Sequence, residues 1–211
     1  MTPAIEHIRW LGHSSFVYSG SLTAYFDPFT IAGGKAADII LVSHTHHDHF
    51  SPPDIKKIAT KDTTLIISAD ARPDFPTNVI TMRPGDRKEI RGVTIEAIPA
   101  YNTLKPYHPK TNDWLGYVVT IDGVTLYHAG DTDFIPEMEG LVADVGFIPV
   151  GGTYTMEAEE AARAVRSMRL VTAVPMHWGQ IVGSQKDAVD FKRLVSDAAD
   201  VVIMKKETTI R

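Results

Sequence analysis

Ile39-Ile40-Leu41-Val42-Ser43-His44-Thr45-His46-His47-Asp48-His49 sets four apolar residues, with one serine between, before a cluster of four histidines and an aspartate. The apolar run reads as a short, fully buried strand. Where an extended segment ends, residues i and i+2 still point the same way, so His44 and His46 offer their imidazoles to one point. The chain must then turn toward Ser51-Pro52-Pro53-Asp54. Asp48 and His49 therefore face a second point nearby, and His47 points elsewhere. The chain contains no cysteine, so disulfides, thiolate metal sites and cysteine nucleophiles are excluded. Neutral imidazole and carboxylate are the donors that zinc and similar ions accept in that case, and this segment supplies two small sets of them. A lone histidine is usually a solvated loop residue; this alternation at a strand end is not lone.

Working outward, the first third reads as strands at residues 7–11, 15–18, 22–26 and 39–42. Ser51 is placed to cap a short helix whose first turn tolerates the prolines and whose apolar face is Ile55, Ile58 and Ala59. Further strands are expected at 65–68, 79–82, 93–98, 117–121 and 124–128, the last two joined by Asp122-Gly123, a hairpin signal. Apolar runs at 144–150 and 171–176 frame an amphipathic helix carrying Ala158, Ala161, Val165 and Met168. A second helix over 187–198 turns Ala188, Phe191, Leu194, Val195 and Ala198 inward, and a strand follows at 201–204. The mixture predicts two sheets with helices packed outside them. At 211 residues and 44% hydrophobic composition, one domain spanning 1–211 is expected. A net charge of −5 gives no broad footprint for nucleic acid, and no apolar run is long enough to span a bilayer. A cytoplasmic protein acting on a small molecule is the simplest expectation, and an oligomer is compatible with it.

The histidine segment resembles the signature of the metallo-β-lactamase superfamily, and other segments follow in that family's order across most of the chain. The resemblance implies an α/β (α+β) fold, a four-layer αββα sandwich with metals at one rim. It implies that His44, His46, Asp48, His49, Asp131 and His177 are metal ligands, with Asp131 of His128-Ala129-Gly130-Asp131-Thr132 bridging two ions and His177 of Pro175-Met176-His177-Trp178-Gly179 the last in the series. Asp27, in Tyr25-Phe26-Asp27-Pro28, resembles the aspartate that steadies the ligands from behind. His13, in Trp10-Leu11-Gly12-His13-Ser14-Ser15, resembles a segment of smaller members similar to ascorbate-6-phosphate lactonase and to uncharacterised metal-dependent hydrolases, where it lies near the metals. It is a candidate to contact substrate or support the ligands.

One position departs from the family pattern. Where a histidine usually completes the first metal site, this chain reads Ile98-Pro99-Ala100-Tyr101-Asn102. Three readings stay open: the site is one ligand short, it uses the Asn102 oxygen, or it borrows His108 from the following loop. That loop, residues 102–113, is long and polar, and loops of this kind are often functional. Tyr101, Asn102 and Lys105 are assigned to the substrate side, with Lys105 and Lys110 able to grip a phosphate or carboxylate.

The activity the resemblance implies is hydrolysis by metal-activated water. One or two Zn2+ ions are expected, with Mn2+, Fe2+ or Ni2+ as alternatives. The substrate would be a small anionic one, a phosphoester or phosphorylated lactone being favoured. Asp48 would steer the water proton, and His108 or His128 would protonate the leaving group. The alternatives are a mononuclear iron oxidoreductase on the same fold, or a non-catalytic member that binds metal or ligand.

Overall fold

The computed structural model describes residues 3–73, 75 and 77–208. Its first half is a sheet of six strands: β1 (Ile8–Gly12), β2 (Ser15–Ser19), β3 (Thr23–Phe26), β4 (Ile39–Val42), β5 (Thr64–Ser68) and β6 (Asn78–Met82), in that spatial order. Helix α1 (Pro52–Ile58) joins β4 to β5. The second half is a sheet of seven: β7 (Arg87–Ile90), β8 (Val93–Pro99), β9 (Leu115–Ile121), β10 (Val124–His128), β11 (Val142–Pro149), β12 (Arg169–Met176) and β13 (Asp200–Val201), again neighbours in chain order. Helices α2 (Ala158–Ser167) and α3 (Gln185–Val195) are the crossovers that make β11, β12 and β13 parallel.

The period of two along the strands explains how the layers stack. In β4, Ile39 and Leu41 enter the core between the sheets, whereas Ile40 and Val42 enter a second core with Ile55 and Ile58 of α1. Burying each such side chain stabilises the fold by about 1.5–3 kcal/mol. On the far side, Ala161, Ala162 and Val165 of α2 and Phe191 of α3 cover the second sheet. The result is the αββα sandwich, helices outside and two sheets inside.

Several local expectations are corrected. Ser51 precedes α1, but its hydroxyl donates to Asp54 Oδ2 (2.6 Å) and caps no backbone N–H. Helix α3 starts two residues earlier than expected, where the Asp187 carboxylate accepts the Ser184 N–H (2.7 Å), and ends at Val195, leaving Ala198 exposed. The last strand is Asp200–Val201, not 201–204. Strand β7 was not expected, because its Arg-Lys-Glu-Ile sequence is polar and mostly exposed. It is fixed by the Arg91-Gly92 turn, both residues at positive φ (53° and 80°), which returns the chain antiparallel into β8. Among the described residues no helix is long and apolar enough to cross a membrane.

Candidate metal centre

Sequence-remote strand ends meet at one rim. Ser43 and the histidine segment follow β4, Asp131 follows β10 and His177 follows β12. Close backbone approach holds the rim together: Leu115 N–H donates to Ser43 O (3.0 Å), and a Cβ on Gly130 (φ 64°) would sit 2.5 Å from Leu115 O. Only glycine suits that place. After His46 the chain turns tightly, with Phe50 N–H donating to His46 O (2.8 Å). This turn buries Asp48 and His49 and sends His47 to solvent.

The side chains behind the rim set which imidazole nitrogen faces inward. Asp27 takes the Ser43 N–H on Oδ1 (2.7 Å), and on Oδ2 the Ser43 hydroxyl and His49 Nδ1 (2.7 Å each). With its own proton on Asp27, Ser43 Oγ accepts from His44 Nδ1 (2.9 Å). Both histidines thus turn Nε2 toward the rim. For His108 the same role falls to Asn102: its Oδ1 accepts from His108 Nδ1 and from the His108 backbone N–H, at 3.0 Å each. The Asn102 amide nitrogen is fixed in turn by Asp133 Oδ1 (3.0 Å) and Tyr154 O (2.9 Å).

The inward nitrogens and carboxylates fall into groups whose ligand atoms lie within 4.8 Å of one another: His44, His46 and His108; His44, His49 and Asp131; and Asp48, His49 and His177 with His13. His44 Nε2 and His46 Nδ1 stand 3.1 Å apart. Asp131 lies where the groups meet, its Oδ2 at 3.3 Å from His108 Nε2 and 3.0 Å from His177 Nε2, its Oδ1 at 3.3 Å from His49 Nε2. His49 Nε2, His108 Nε2, Asp131 Oδ1 and His177 Nε2 are buried without a hydrogen-bond partner. Orphaned polar atoms cost free energy unless something fills them, and so many converging on one point fit divalent cations.

The electrostatics agree. Burial, reinforced by the neighbouring charge of His49, holds His44 well below the usual imidazole range, in the neutral form a cation binds. Burial would raise Asp131, but the charges of His177 and His49 outweigh it and keep the carboxyl well below its usual range. Burial opposes a charge on His49 too, yet Asp131 and Asp27 outweigh it and lift that imidazole well above its usual range. His13 is fully buried, and burial lowers it to about 4. Its Nε2 lies 3.1 Å from Asp48 Oδ2, and its ring centroid is 4.1 Å from that of His177.

Four substrate-side or proton-transfer expectations do not survive this geometry. His128 lies behind the rim, stacked on Phe26, with Nε2 on Ser14 O (2.9 Å) and Nδ1 accepting the Gly130 N–H (3.3 Å). Neither nitrogen is left to protonate a substrate. Asn102 is buried, its oxygen occupied by His108. Lys105 Nζ is bound to Asp133 Oδ1 and lies 3.8 Å from Glu160 Oε2. Tyr101 donates its hydroxyl to Glu137 (3.0 Å) beneath Lys110, whose Nζ pairs with Glu137 (3.0 Å).

The structure adds residues that the sequence reading passed over. Trp114 packs its ring 4.7–4.8 Å from His44 and His46 while donating Nε1 to Asp70 (2.9 Å). Tyr107, Tyr154 and Ile181 border a cleft of about 230 Å³ that opens onto His46, His108 and Asp131. Ser43 could have been found from its place directly before the cluster. The others carry no local signal.

A Beta-lactamase superfamily domain model matches residues 7–177 of the chain. This chain belongs to the β-lactamase superfamily. Within that superfamily it is similar to the UPF0173 metal-dependent hydrolase of Pyrococcus horikoshii, 35% identical over 94% of this chain and 96% of the relative. Its counterpart in Thermococcus onnurineus is 33% identical, again over 94% and 96%. A crystal structure from Parabacteroides distasonis superposes with a TM-score of 0.80 at 30% identity, covering 95% of this chain and 93% of that one.

Proposed function

We propose that this protein hydrolyses a small molecule with water activated by two divalent ions, zinc being the first choice and Mn2+, Fe2+ or Ni2+ the alternatives. It is a metal-dependent hydrolase of the β-lactamase superfamily, as its relatives are named. The observation that carries the two-ion reading is Asp131, whose carboxylate lies against His108 of one ligand group and against His49 and His177 of the other. His44, His46 and His108 would hold one ion, Asp48, His49 and His177 the second, and Asp131 both. Imidazole and carboxylate donors without sulfur suit zinc. When bound, the ions supply Lewis acidity that polarises the attacked bond and lowers the pKa of water to ~7.

The chain's own groups do the rest. Asp27, Ser43 and Asn102 fix the ligand tautomers before any ion arrives, so no reorganisation is needed at the moment of reaction. Asp48 binds His13 through Oδ2; its Oδ1, 3.7 Å from Nδ1 of the exposed His47, would take up the proton of the attacking water and return it to the leaving group. His108 serves as a ligand and not as the leaving-group acid, because its Nδ1 is committed to Asn102. Trp114 shields the first group from bulk water. The lack of cysteine supports a cytoplasmic setting, the net charge of −5 supports a partner other than nucleic acid, and the chain is read as one catalytic domain.

The test is metal analysis combined with a hydrolysis screen of esters, lactones and phosphoesters on the loaded protein. Asp131→Asn is expected to lose bound metal and to drop kcat/KM by ~100-fold. A loaded protein that turns over none of these compounds, or an Asp131→Asn variant with undiminished turnover, would falsify the reading. Oxygen consumption by an iron-loaded form without hydrolysis would point instead to the oxidoreductase alternative.

A further inference from the structure

Resting on that reading, the walls of the cleft say what kind of bond is cut. Three side chains from three loops stand over the ligand groups: Tyr107 from the segment after β8, Tyr154 from that after β11, and Ile181 from that after β12. Tyr107 meets Tyr154 edge to face at 4.8 Å between centroids, and both Tyr107 and Ile181 are left more than 40% exposed (44% and 42%). Contiguous apolar surface rimming a polar floor marks a binding site for an apolar group. At about 230 Å³ the space is smaller than a pocket for a drug-sized ligand.

The charges point the same way. No Lys or Arg is among the residues lining this cleft. Lys105 and Lys110 are taken up by Asp133 and Glu137. A phosphoryl group spreads its charge over three equatorial oxygens, which enzymes hold with cationic clamps as well as metal. A carbonyl develops charge on one oxygen only.

We infer that the substrate is an uncharged carboxylic ester or lactone of small size, with an aryl-sized apolar group lodged between Tyr107, Tyr154 and Ile181. The water oxygen bonds to the carbonyl carbon, the acyl C–O bond breaks, and the departing oxygen takes the proton held by Asp48. Ester and water become acid and alcohol, with no other reactant. This proposal takes the place of the phosphoester or phosphorylated lactone expected from the sequence.

Dihydrocoumarin and phenyl acetate are compared with phenyl phosphate and bis(4-nitrophenyl) phosphate on the metal-loaded protein, with metal content measured in parallel. The carbonyl compounds are expected to exceed the phosphoesters in kcat/KM by ~100-fold. Tyr107→Ser and Ile181→Ser should each raise KM for dihydrocoumarin ~10-fold while the bound metal is unchanged. Faster turnover of either phosphoester overturns this inference but leaves the hydrolase reading standing. So does an unchanged KM in both variants. No turnover of any of the four by the loaded protein overturns both.

Discussion

Asn102 does for His108 what Asp27 does for His49: an oxygen acceptor on Nδ1 leaves Nε2 facing the rim. Asn102→Ala is expected to weaken binding of one ion about 10–100-fold, with the other spared, as read by titration against a chelator. Equal weakening of both ions would contradict the division into two groups. His49 gives a second handle. Because Asp131 and Asp27 raise its pKa well above the ordinary 6.5, the metal-free protein carries a proton there at neutral pH, and an arriving cation must expel it. Affinity therefore falls as pH falls. Calorimetric metal titrations in buffers of different ionisation enthalpy should register proton release at pH 7 in the wild type and less of it in His49→Gln. At this scale the sequence was legible where the candidate ligands are contiguous, as in residues 44–49, whose inward side chains the fold does group together. It was ambiguous at Asn102 and His108, because the path of a loop is not encoded in any local period. Tyr154 and Ile181 were invisible for the same reason.

Strand and helix positions follow from apolar period and turn chemistry, which is why β4 and β10 run over the expected residues and β9 and β12 begin only two earlier. What alternation cannot show is the polar edge strand β7 or an α1 start without a side-chain cap. In both places tertiary pairing decides. Close packing at strand ends has direct consequences for the site. A Cβ on Gly151, just beyond β11, would lie 2.0 Å from the His177 carbonyl oxygen. Backbone cannot yield there cheaply, so Gly151→Ala should destabilise the protein by about 1–3 kcal/mol and loosen the group containing His177. Thermal unfolding with and without metal checks it, and an unaltered midpoint in both states would refute it. The loop carrying His108 is anchored by Asp133, which accepts from Asn102, Thr103 and Lys105. Burial would raise the Asp133 pKa, but these donors outweigh it, led by Lys105, and leave it below 3.8. Its contribution is therefore complete above 3.8 and is lost as pH falls through the lower folded value. Asp133→Asn should be less stable than wild type by about 1–3 kcal/mol at pH 7, and the gap in urea midpoints should close in acid.

Across the whole molecule, the two sheets are also two consecutive stretches of chain, 8–82 and 87–201, joined by the turn at residues 83–86. His44, His46, Asp48 and His49 come from the first stretch; His108, Asp131 and His177 come from the second. Neither stretch encloses a whole ligand group with Asp131, and the core between the sheets draws on both. A cation held as proposed would thus be a clasp between two halves that the backbone links only once. Cut at that turn and expressed as separate fragments, the halves should find each other far better in the presence of zinc than in the presence of a chelator. Co-elution and recovered hydrolase activity would show it. Behaving so, the fold would work as a split reporter whose input is free metal ion.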